Sequence, residues 1–220
     1  MERINIAIDG PSGSGKSTIA KALAEKLNLA YLDTGAMYRG IGYYLDKCGI
    51  DVNNVPDVLE KLPTISMDIV YDKDKQKVIV NGEDVTPFIR QNKISTLASN
   101  VSKIKEVREK LVDIQRTIAH SKSVVLDGRD IGSVVLPDAD YKFYLTATVD
   151  IRAKRRYLEI KDKENVTLEK VKEDMIKRDE ADSSRSVAPL VVPKGAFVLD
   201  TTNLTIDEVM EVIMGKIKRS

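Results

Sequence analysis

Cysteine and histidine are scarce here. In 220 residues there is one cysteine, Cys48, and one histidine, His120. A lone cysteine excludes an intramolecular disulfide and fits a reducing compartment. The lone histidine follows a helix of ordinary periodicity, so no nucleophile–histidine pair emerges. Neither does an acid–base pair or a metal-ligand cluster. Aromatic residues make up only 5%, and 35 basic residues face 34 acidic ones for a net charge of +1. That combination disfavours a nucleic-acid surface. Long apolar runs are missing too, and Asp9 interrupts the one near the amino terminus. Neither a signal peptide nor a membrane helix is therefore expected. The expectation is a cytoplasmic monomer with no nucleic-acid and no membrane partner, built as one domain with room for a small insert.

One stretch organises what is there. Residues 4–18 read INIAIDGPSGSGKST. A short apolar run leads into Gly10, four further residues, then Gly15-Lys16-Ser17. This is the G-x-x-x-x-G-K-[ST] phosphate loop, with a strand signal before it and a helix, Lys16 to Leu27, after it. Glycines let the backbone approach a ligand closely. Loop amides and the helix N-terminus then form a cradle for anions. Lys16 reaches the β- and γ-phosphates, and the Ser17 hydroxyl sits on Mg²⁺. The motif speaks for a bound nucleoside triphosphate, not for what is done with it.

Strand signals at 30–33, 123–126, 141–145 and 196–199 alternate with helical periods at 34–49, 151–160, 168–175 and 206–217. The pattern predicts an α/β fold: a three-layer core around a parallel sheet. Ligands in such sheets sit beyond the carboxyl ends of the strands. Asp9, Asp33, Asp127 and Asp200 all terminate strand signals, so all four are placed on that rim. Residues 64–85 read as a β-hairpin with a polar turn at 72–75, the core of a small insertion. Residues 86–121 are helical.

Three further constellations stand out. Asp33-Thr34-Gly35-Ala36-Met37-Tyr38-Arg39 offers a second anion site at a helix start, or simply an N-cap followed by a surface arginine. In Asp127-Gly128-Arg129-Asp130, a strand-end carboxylate suits Mg²⁺ and Arg129 suits a phosphate; the alternative is a solvated turn. Arg152, Arg155 and Arg156 share one helix face. Arg178, Asp182 and Arg185 share another, provided that helix continues. These two sets flank a polar break at 161–165, as in a hinged lid, or they are solvated helix faces.

Together, IDGPSGSGKST at 8–18, LDTGAMYR at 32–39, VLDGRDIGSVVLPDAD at 125–140, RAKRRY at 152–157 and KRDEADSSRSVAPL at 177–190 resemble the bacterial cytidylate kinases. The resemblance covers nearly the whole chain. It implies a single phosphate-loop nucleoside-monophosphate kinase domain over 1–220. Within it lie a monophosphate-binding insertion at about 36–121, with its hairpin at 64–85, and a lid at about 152–186. It implies transfer of the γ-phosphoryl group of ATP to CMP or dCMP. Gly10, Pro11, Ser12, Gly13, Ser14, Gly15, Lys16, Ser17 and Thr18 hold ATP. Thr34, Arg39, Arg129 and Arg185 hold the acceptor phosphate, and Arg178 and Asp182 the sugar. Ser99, Arg108 and Asp130 contact cytosine, while Arg155 and Arg156 close over the phosphates. Ser17 and Asp127 hold Mg²⁺, Asp127 directly or through water. The competing expectations are a phosphate-loop kinase for a different small molecule, or a nucleotide-dependent switch.

Overall fold

The structure, a computed structural model, describes residues 3–72, 75–162 and 165–217. Parts of the expected polar turn at 72–75 and of the polar break at 161–165 fall outside the described residues. In chain order the elements are β1 (Asn5–Asp9), α1 (Lys16–Leu27), β2 (Ala30–Asp33), α2 (Thr34–Lys47), α3 (Val55–Lys61), β3 (Met67–Asp72), β4 (Lys75–Val80) and β5 (Glu83–Asp84). There follow α4 (Asn92–Val101), α5 (Lys105–Ser121), β6 (Val124–Gly128), β7 (Tyr141–Thr146), α6 (Val149–Ile160), α7 (Leu168–Ser183), β8 (Phe197–Asp200) and α8 (Ile206–Ile217). A π-turn, Ile131–Val135, follows β6. No helix among the described residues is long and apolar enough to cross a membrane.

The chain divides into two compact units, one of residues 1–30 and 122–220, the other of residues 31–121. In the first, parallel strands run in the order β6-β1-β7-β8. Ala30, where β2 begins, donates its amide to the Ser123 carbonyl beside β6. Burial explains the composition of each strand. Ile6, Ala7 and Ile8 of β1 and all of β6 are sealed, so these strands are nearly uniformly apolar. That is the signature of a parallel strand covered on both faces. β8 alternates between half-buried and exposed residues, as an outer strand does. Helix α1 buries Ile19, Ala20, Leu23 and Ala24 on one face and ends at Asn28, in the left-handed region with φ 53°.

The second unit is helical around α2, with a separate antiparallel sheet, β3-β4-β5. The expected hairpin is present in the register Met67↔Val80 to Asp72↔Lys75, and the two-residue β5 extends it. Its inner face packs directly on α2. A Cβ at Gly40 would lie 2.9 Å from Val78 Cγ1 and 3.1 Å from Met67 Cε, so only a glycine admits the sheet this closely.

One expectation needs correction. Helix α7 ends at Ser183, so Arg185 lies beyond it and does not share its face. Helix α3 ends at Lys61 and passes into a 3₁₀ turn, Leu62–Thr64, whose first turn tolerates Pro63.

Candidate active site

The phosphate loop joins β1 to α1. Gly13 and Gly15 take φ of 73° and 89°, conformations that a side chain disfavours. Gly15 stands at the N-cap of α1 without a side-chain cap, leaving the first amides of the helix to other partners. Lys16 is buried, and its Nζ donates to the Pro11 carbonyl at 2.8 Å. Burial, reinforced by the charges of Arg129 and Arg178, pulls the Lys16 ammonium down to about 7, against partial support from Asp127 and Asp182. A buried lysine held among guanidinium groups is a site short of negative charge. The Ser14 hydroxyl is also buried and finds no hydrogen-bond partner among the described residues. The loop thus fits the phosphates of a nucleotide.

Ser17 Oγ donates to Asp127 Oδ2 at 2.7 Å, bringing an oxygen of α1 to one at the carboxyl end of β6. Among the described residues no group of three His, Cys, Asp or Glu side chains could hold a metal by itself. Two protein oxygens beside a phosphate cradle fit Mg²⁺, which takes oxygen ligands.

The other rim aspartates do different work. Asp9 accepts from the amides of Ile131 and Gly132, both at 2.7 Å, and so fixes the π-turn after β6. Burial pushes this carboxyl up to about 6, with the Asp130 charge adding to it and the two amide bonds opposing. Asp200 is exposed and turns the chain through Thr202. Asp130 is buried at the head of the π-turn.

Asp182 is the hub of the arginines. Its Oδ2 accepts from Arg129 Nε at 2.9 Å, and Arg185 Nη2 stands 4.0 Å from Oδ1. Arg185 also reaches back, Nε to the Asp182 carbonyl at 3.3 Å, so the turn after α7 restores a proximity that helical spacing does not provide. Burial opposes the Asp182 charge, but Arg129, Arg178 and Arg185 outweigh it and hold the carboxyl below its usual range.

Helices α6 and α7 roof the phosphate loop. Arg152 donates to the Ala147 and Ser12 carbonyls at 2.9 and 3.1 Å and pairs with Asp179 at 2.7 Å. A Cβ at Gly13 would fall 2.6 Å from Met175 Cε and 3.0 Å from the Arg152 carbonyl oxygen. Arg155 grips Thr201 through its hydroxyl and carbonyl at 3.0 and 2.7 Å. Arg156 pairs with Glu159 at 3.1 Å on the helix surface. In the sequence Arg152 reads only as part of a helix face, and Asp179 and Thr201 carry no signal. Their partners are remote in sequence and leave no local signal.

In the second unit, Asp33 caps α2. Its Oδ1 accepts from the Ala36 amide at 2.8 Å and its Oδ2 pairs with Arg39 Nη2 at 2.9 Å. Burial opposes the Asp33 charge, yet Arg39 and the Ala36 amide leave the carboxyl below its usual range. Arg39 Nε is buried with no hydrogen-bond partner among the described residues. Thr34, the first residue of α2, is buried. Arg108 lies over the Tyr38 ring, 5.6 Å from its centroid, and donates to the Ser102 carbonyl at 3.2 Å. The Ser102 hydroxyl in turn donates to the Ser99 carbonyl at 2.8 Å. Thr34, Arg39, Ser99 and Arg108 thus sit on α2, α4 and α5 of one unit, while Arg129, Asp130, Arg178, Asp182 and Arg185 belong to the other.

A parallel sheet, a phosphate loop at its carboxyl edge and buried cations around it define a phosphate-loop kinase. In fold alone, the shikimate kinase of Acinetobacter baumannii, solved in complex with shikimate, matches 99% of this chain and 94% of its own at a TM-score of 0.50 and 17% identity. The cytidylate kinase family model matches residues 6–219. The cytidylate kinase of Caldicellulosiruptor saccharolyticus is 51% identical over 215 residues, 97% of this chain and 95% of that protein. That of Clostridioides difficile is 51% identical over 218 residues, 99% of each. The chain belongs to the cytidylate kinase family.

Proposed function

We propose how the residues of this chain, an ATP-dependent CMP kinase by family, divide the work of moving the γ-phosphoryl group of ATP to CMP or dCMP. Residues Gly10 to Thr18 hold the triphosphate. Ser17 and Asp127 would hold Mg²⁺, which when bound would neutralise phosphate charge. Thr34, Arg39, Arg129 and Arg185 take the acceptor phosphate. Asp33 orients the Arg39 fork and Asp182 that of Arg129. A phosphate acceptor is already largely ionised near neutral pH, so no general base is required. Catalysis then reduces to positioning and charge neutralisation by Lys16, Arg129 and Arg185, joined by Arg155 and Arg156.

The cytosine preference is assigned to Asp130, Arg108 and Ser99. A carboxylate suits the N4 amino donor of cytosine, and a guanidinium suits the N3 and O2 acceptors. Uracil presents a carbonyl where the amino group was, leaving the carboxylate unpaired. Arg178 and Asp182 are assigned to the sugar hydroxyls. The region at about 36–121 is proposed as the monophosphate-binding part and that at about 152–186 as the lid. The protein is proposed to act as a cytoplasmic monomer on small-molecule substrates, without nucleic acid or membrane.

One observation carries this reading: the buried cationic cluster in which burial, with Arg129 and Arg178, depresses the Lys16 ammonium. Such a cluster suits a ligand of several negative charges. Phosphoryl transfer from ATP to CMP, dCMP, UMP, AMP and dTMP, measured in parallel, tests it. Turnover confined to the cytosine nucleotides is expected; equal rates across the acceptors would overturn the assignment.

A further inference from the structure

The hairpin of β3 and β4 carries no residue that the mechanism uses, yet it grips the point where α2 begins. Alternation along β4 places Gln76, Val78 and Val80 on one face. Val78 and Val80 are buried against Gly40 of α2. Gln76 continues that inner face with a polar group. Its Oε1 accepts from the Asp33 amide at 2.7 Å and its Nε2 donates to the Asp33 carbonyl at 3.2 Å. One side chain thereby clamps both main-chain groups of the residue whose own carboxylate caps Ala36 and holds Arg39. The backbone of Asp33 is fixed from outside its own segment, and with it the direction of the Arg39 fork and the place of Thr34.

From this geometry we infer that Gln76 is a positioning residue for the acceptor phosphate, and that the hairpin serves to present it. The inference rests on the proposed role of Thr34 and Arg39 in holding that phosphate. Gln76 touches no reacting atom; it acts through Asp33. An alanine here leaves the partly buried Asp33 amide without its acceptor. A glutamate keeps that acceptor but loses the donor to the Asp33 carbonyl and adds a charge beside Asp33.

Steady-state kinetics of Gln76→Ala, Gln76→Glu and Arg39→Ala, with melting temperatures, test this. Gln76→Ala should raise KM for CMP about tenfold, as loss of a buried amide's acceptor does, while KM for ATP stays within about twofold. Gln76→Glu should fall between alanine and the wild type, and it stands as the informative variant should the alanine protein fail to fold. An unchanged KM for CMP in both Gln76 variants would overturn the inference. So would an equal rise in both KM values tracking a lowered melting temperature, since a merely structural role predicts that. If Arg39→Ala leaves KM for CMP unchanged, the acceptor-site reading fails and takes this inference with it. If Arg39→Ala raises it and the Gln76 variants do not, the inference alone fails.

Discussion

The chain starts two helices at sequences proposed to bind phosphate, and it builds the two starts in opposite ways. At α1 the N-cap is a glycine that offers no side chain, and burial with the charges of Arg129 and Arg178 outweighs the support of Asp127 and Asp182, so the Lys16 ammonium is disfavoured. At α2 the N-cap is an aspartate that satisfies an amide and an arginine at once, and Gln76 clamps its backbone. The first start is left wanting an anion. The second has both oxygens of its carboxylate satisfied, while Arg39 Nε finds no hydrogen-bond partner among the described residues. The contrast teaches that anion sites at helix N-termini need not share a design. In the proposed function, one holds a buried, disfavoured ammonium for a polyanion, while the other pre-organises an arginine for a single phosphate.

Substitution of Lys16 gives the largest effect. Lys16→Met should lower kcat about 10³-fold or more, the scale of removing a charge aimed at a developing transition state. It should not unfold the protein, because the lysine is the strained partner in its site. Its folded value near 7 lies below the usual 10.5. Between those values the unfolded chain binds more protons, so wild-type stability rises with pH. Melting temperatures without nucleotide should therefore rise from pH 7 to 10 in the wild type relative to Lys16→Met. A flat difference would remove the strain from the comparison.

Asp182→Ala comes next. It strips the shared carboxylate from Arg129 and Arg185. Breaking a buried pair on one side costs about 3 kcal/mol or more, readable by chemical denaturation. A loss below about 1 kcal/mol, the value of an exposed pair, would show that these arginines do not depend on it.

Asp9, just before the phosphate loop, is next in size. Its folded value of about 6 exceeds the ordinary 3.8, so the folded state binds more protons between them. The carboxylate therefore costs stability as pH rises through that window, by about 3 kcal/mol once ionised. Measured against Asp9→Ala, the wild type should lose about 2 kcal/mol of that relative stability from pH 4 to 6.5. Asp33 and Asp182 act oppositely: their depressed carboxyls stabilise above the ordinary value, and the benefit is lost on acidifying below it.

Asp130→Ala should reduce the CMP/UMP ratio of kcat/KM about 10²-fold with ATP binding little changed. Unchanged selectivity would place base recognition elsewhere. Gly35→Ala should act most mildly. A Cβ there would come within 3.0 Å of Arg39 Nη1 and 3.2 Å of Asp33 Oδ1. Those atoms are side-chain ends that can give way, so a rise of about fivefold in KM for CMP is expected, a small misplacement of a positioning group. No change would mean that the α2 start is looser than its contacts indicate.

How much of this was legible in the sequence follows the same contrast. The α1 start is one contiguous motif between a strand and a helix period, and α1 runs Lys16–Leu27 as its spacing predicts. β2 and α8 were likewise bounded by local pattern alone. The α2 start could be read only as far as its own residues, Asp33 to Arg39. Gln76 lies 43 positions away in a hairpin with no chemical motif. The π-turn after β6 was invisible for a similar reason, since it depends on Asp9, 122 positions earlier. Arg152 read as a charged helix face because its partner in the phosphate loop lies 140 positions back. Spacing reveals periodicity and caps, but not which distant carbonyl a guanidinium will find.

The central claim, that the two proposed anion sites are built independently, is tested most directly by calorimetric titration of Lys16→Met with Mg-ATP and with CMP. The account predicts that ATP binding weakens at least about tenfold, while the dissociation constant for CMP stays within about twofold of the wild type. Parallel weakening of both ligands would contradict it.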